Sequence, residues 1–68
     1  MDVKNEVGVC AGNIWETLKK NKGPMMVQQL IKHVPKPTRI VIMALGWLLR
    51  EDKIEMYTHG ARVYVKLK

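Results

Sequence analysis

The chain has 68 residues, 12 Lys and Arg against 6 Asp and Glu for a net charge of +6, and 1 cysteine, Cys10. This length allows one compact domain, read here as residues 1–68, and a lone cysteine excludes an internal disulfide. His33 and His59 stand far apart, serine is absent, and neither zinc-ligand spacing nor a phosphate-binding glycine loop occurs, so the chain is read as no enzyme, with no cofactor, metal or small-molecule substrate.

Val7, Ala11, Ile14 and Leu18 follow the spacing of one helix face, which predicts a first helix from about Glu6 to Lys20 with Asn5 as its cap. Asn21-Lys22-Gly23-Pro24 ends it, with glycine supplying the left-handed residue and proline forbidding continuation. Met25 and Met26 are expected to be extended. Val27, Leu30, Ile31 and Val34 then predict a short second helix, closed by Pro35-Lys36-Pro37. Pro37 presets the first turn of a third helix, with Thr38 assisting its cap, and Val41, Ala44, Leu45 and Leu48 point inward until about Asp52. Beyond it the period falls to two: Ile54, Met56 and Thr58, then Val63, Val65 and Leu67, on either side of a short tip at His59-Gly60.

Three helices followed by a two-stranded antiparallel hairpin is an α+β winged helix-turn-helix plan, in which the third helix can enter a major groove and the hairpin forms the wing. The run Ala44-Leu45-Gly46-Trp47-Leu48-Leu49-Arg50-Glu51-Asp52-Lys53-Ile54, with Ala11-Gly12-Asn13-Ile14-Trp15, resembles a family of small prokaryotic winged helix-turn-helix proteins of unestablished function. The resemblance implies a winged helix that can form homodimers, with DNA binding assumed from the fold. Two features depart from an ordinary helix-turn-helix. Met26 stands where Ser or Thr usually caps the second helix, and the turn carries two prolines.

No acidic residue lies between Glu16 and Glu51, whereas seven basic residues do, and such a stretch favours a polyanion. The expected contacts to double-stranded DNA are Lys32, Lys36, Thr38, Arg39, Arg50, Arg62 and Lys66. On the third helix, Val41, Leu45 and Leu48 mark the core side, and Arg39, Ile40, Met43, Gly46, Trp47 and Arg50 fall on or near the other. That outer face is too apolar to be left wet. Met43 and Trp47 are therefore expected to be covered either by the first helix or the N-terminal residues, or by a second copy across a two-fold axis. Gly8 and Gly12, on one helix face with Trp15, point to a close approach that is either internal against Trp47 or across the same homodimer.

Tyr57 and Tyr64 are expected to pack across the ribbon rather than stack on bases. Cys10 reads as a small packed side chain. The sequence opens without the features of a secretory leader, and its longest apolar run, Ile40 to Leu49, is about half the roughly twenty residues a membrane helix needs, which points to a cytoplasmic domain. Two functions follow: a dimeric DNA-binding protein of transcription-regulator type, or a protein interaction and dimerisation module that keeps the fold without nucleic acid.

Overall fold

The computed structural model describes residues 2–68. Helix α1 covers Val3–Asn21, strand β1 Met25–Met26, helix α2 Val27–His33, helix α3 Thr38–Arg50, strand β2 Ile54–His59 and strand β3 Arg62–Leu67. α1 begins three residues earlier than its apolar period shows, because Asp2 rather than Asn5 is its cap: Asp2 Oδ1 accepts the Lys4 N–H at 3.0 Å. At its other end the left-handed residue is Lys22, φ 57°, rather than the glycine that follows. The Lys22 N–H reaches back to the Leu18 carbonyl, and the Asn21 side-chain amide donates to the Gly23 carbonyl, so the turn is closed before Gly23 is needed.

Met26 does occupy the cap position of α2. Its sulfur is a poor substitute for a hydroxyl, and half of a capping box remains: Gln29 Oε1 accepts the Met26 N–H at 3.1 Å. Pro37 precedes α3 without a side-chain cap, so the Thr38 hydroxyl does not cap the helix start; Pro37 fixes the backbone entry instead.

The wing is part of a larger sheet than the hairpin period implies. Met25 pairs with Val65 and Met26 with Tyr64, making an antiparallel sheet ordered β1-β3-β2. Two residues are too few to display an alternating pattern, so this third strand left only the mark of an extended segment. Between β2 and β3, Gly60 takes φ 65° and Ala61 a negative φ, the pattern of a type II′ turn that matches the twist of the strands.

Ile14, Leu18, Leu30, Val41, Ile54 and Val65 form the centre of a core to which every helix contributes, and among the described residues no polar side chain is buried. α1 is the principal neighbour of α3, while the hairpin touches α3 far less. That imbalance sets which sides of α3 are dry.

Two expectations follow from the packing. A Cβ built on Gly8 would stand 4.0 Å from Trp47 Cη2, which is ordinary contact, so Gly8→Ala keeps the packing and gains helix propensity. It should raise Tm in a thermal unfolding scan by about 4 °C, whereas Gly8→Leu should lower it by pushing the indole aside. Cys10 is fully buried and burial raises its thiol pKa, with Lys36 partly opposing, so the protein should react with a thiol reagent only as fast as it opens, and at once in denaturant.

Candidate nucleic-acid interface

α3 presents three sides. Val41, Ala44, Leu45 and Leu48 face the core as their spacing requires, and Ile40, 4% exposed, joins them instead of facing outward. Trp47 is half-buried and packs on the core through the α1 side. The reason is α1, which covers the flank of α3 that Ile40 and Trp47 share. The opposite flank has no such cover: Ile42 is 49% and Leu49 45% exposed, and both belong to the outer surface that the sequence assigned to Ile40 and Trp47. Met43, expected to be covered by the first helix or by a second copy, is not covered within the chain and stands 43% exposed.

Arg39, Gly46 and Arg50 are all exposed and trace the outermost line of α3, since steps of seven and four residues on a helix return to nearly the same direction. At 1.5 Å per residue the two arginines are about 16 Å apart along the axis, with Gly46 between them. Nothing lies within 4 Å of where a Gly46 Cβ would stand.

Beside this line, Val27 of α2, Ile42 and Leu49 of α3, and Met56 and Val63 of the wing enclose a groove of about 500 Å³, with Gln28 and Arg62 as its polar members. Arg62, the first residue of β3, also directs Nη1 at Met26 Sδ, 3.8 Å away, tying the wing to the start of α2.

The expected DNA contacts are not all alike. Arg39 and Arg50 end the outer line, Arg62 lines the groove, and Thr38 and Lys32 are exposed on α3 and α2. Lys36 is half-buried in the turn and close enough to Cys10 of α1 to offset part of the rise that burial imposes on its thiol, which places it toward the other side. Lys66 is opposite Glu55 in the register and pairs with it at 3.4 Å. Lys53 pairs with Glu51 and Lys68 with Asp52. Among the described residues no carboxylate lies within 4.0 Å of Lys32, Lys36, Arg39, Arg50 or Arg62.

The residues singled out for dimerisation separate differently. Gly8, Gly12, Trp15 and Trp47 line one hollow between α1 and α3, in company with Glu16, Glu51 and Lys53. The Lys19 ammonium sits 4.9 Å above the Trp15 ring, and Gly12 is exposed with nothing within 4 Å of a would-be Cβ. The ring whose approach Gly8 accommodates is Trp47 of the same chain. Met43 lies outside this hollow, on the outward side of α3. The two candidate surfaces therefore occupy different flanks of α3.

On the outer face of the wing Tyr57 and Tyr64 stack, ring centroids 5.6 Å apart and 15° from parallel, and His59 meets the Tyr64 ring edge-on. One face of each tyrosine is thus engaged within the ribbon. Among the described residues there is no group of three or more His, Cys, Asp or Glu that could hold a metal, and no helix is long and apolar enough to cross a membrane. Sequence reasoning missed Gln28, Ile42, Leu49 and Val63. Of these, Ile42 and Leu49 had a signal, being seven residues apart on one helix stripe.

The uncharacterised protein MJ1608 of Methanocaldococcus jannaschii is 32% identical over 68 residues, covering 98% of this chain and 97% of its own length. Among solved structures, a chain from work on the DNA recognition and protein interaction domains of HOP2 superposes with a TM-score of 0.76 at 24% identity, over 87% of this chain and 98% of that one. Its likeness is one of fold. Residues 1–67 match the model of the winged helix-turn-helix domain family DUF2582, and the chain belongs to that family.

Proposed function

We propose that the domain binds duplex DNA as a homodimer, with α3 at the major groove and the wing on the backbone. One observation carries the DNA reading: α2, the turn, α3 and β3 hold no carboxylate, and Arg39, Arg50 and Arg62, with Lys32, are free of ion pairs there. Unpaired guanidinium groups on an acid-free surface exchange their counterions for phosphates at little cost. The charge pattern, rather than the likeness to HOP2, supports this reading.

The homodimer is assigned to the hollow at Gly8, Gly12, Trp15 and Trp47, because this flank is separate from the outer line of α3 and leaves that line accessible. A second reading, a protein interaction module without nucleic acid, is favoured by the apolar groove at Ile42, Leu49 and Val63.

Three measurements divide these readings. Fluorescence anisotropy with a labelled duplex should give an affinity that falls with salt at a log–log slope of about −3 to −4 per protomer, from roughly four phosphate contacts. Binding that is absent at low salt, or indifferent to salt, rejects the DNA reading and leaves the interaction module. Arg39→Ala and Arg62→Ala should each flatten the slope by about one, while Lys66→Ala, whose partner Glu55 already occupies it, should change it less. For the dimer, sedimentation should show twice the 7.8 kDa chain mass for the wild type and the single-chain mass for Gly12→Arg, a substitution at an open position. A wild type that sediments as a single chain removes the homodimer.

A further inference from the structure

We propose that the outward face of α3 selects thymine-containing steps, by packing Ile42 and Met43 against thymine C5-methyl groups in the major groove. This rests on the DNA-binding reading and specifies which duplexes it prefers. Base-reading helices ordinarily offer side-chain amides, hydroxyls or guanidinium groups to the donors and acceptors of base edges. Between Arg39 and Arg50 this helix offers none: the exposed residues there are Ile42, Met43, Gly46 and Leu49.

Polar base edges pressed against that stretch would lose water without gaining a partner; guanine and adenine present only such groups, and cytosine adds no more than a C5–H. Thymine alone presents a methyl group in the major groove, so burying it is the most favourable base contact this face can make. Gly46 assists, because bare backbone at the outermost point lets the helix seat deeply. A major groove about 12 Å wide admits a helix of about 10–12 Å diameter.

The flanking charges decide between DNA and a second copy on this face. A two-fold pairing about the middle of α3 would set Arg39 of one copy beside Arg50 of the other, cation against cation. The phosphate ridges bordering a major groove complement the same two cations.

The test uses the full chain and two short duplexes of one A·T-rich sequence, one built with thymine and the other with uracil, which differs only by the missing methyl. Each methyl buried contributes about fourfold in affinity, so the thymine duplex should bind at least fourfold tighter at equal salt. The double variant Ile42→Ala/Met43→Ala, both positions exposed and hence compatible with folding as checked by circular dichroism, should bring the ratio close to one and keep the salt slope. Arg39→Gln should weaken both duplexes equally and preserve the ratio. Salt-dependent binding with equal affinity for the two duplexes overturns thymine selection while DNA binding stands. A preference that survives the double variant also overturns it, because the preference would then come from duplex shape. No salt-dependent binding to either duplex overturns the DNA reading and this inference with it.

Discussion

The packing of α1 along α3 is the constraint on which the rest of the structure depends. It is the most extensive contact between two elements joined by no turn, and it buries Ile14 and Leu18 on one side and Val41, Ala44 and Leu48 on the other. It also fixes the rotation of α3 about its own axis. Because α1 takes the flank that holds Ile40 and Trp47, the indole is drawn over Gly8 and away from the outer face. What remains outward is a line with arginine at each end and apolar side chains between. An aromatic anchor at the centre of that line would have made the outer face a protein interface by its chemistry alone.

Most of the fold was legible in the sequence because its elements are punctuated by residues with a fixed backbone effect. The Pro35-Lys36-Pro37 turn, the change of period after Asp52 and the Gly60 tip place the boundaries of α2, α3 and the wing within a residue or two. Two errors at the helix caps share one cause. Asn5 and Gly23 are intrinsically good at their jobs, yet Asp2 and Lys22 are the residues the chain geometry puts there. β1 was not legible because its pairing with β3 is decided by partners 38 and 40 residues away in sequence.

The candidate site was legible in its charge and illegible in its orientation. The absence of acid between Glu16 and Glu51 can be counted from residues, and the structure keeps that stretch free of ion pairs. Which flank of α3 is dry cannot be counted, since Ile40 and Ile42 are the same residue two steps apart. Only the position of α1 distinguishes them. The same holds for the basic residues: Lys36 and Lys66 carry the charge of Arg39 and Arg62, but one is drawn toward α1 and the other is held by Glu55.

The corner that joins α3 to the wing has a consequence for how the molecule behaves at a distance. Three of the chain's six carboxylates, Glu51, Asp52 and Glu55, are gathered there, each matched by a lysine of the same chain. The excess of positive charge is therefore unevenly distributed, weak at the base of the wing and carried by the end of α1, α2, the turn and α3. In solution such a body has a preferred heading: within about 8–10 Å of a polyanion, the range that physiological salt permits, the matched corner at the base of the wing would be the side turned away.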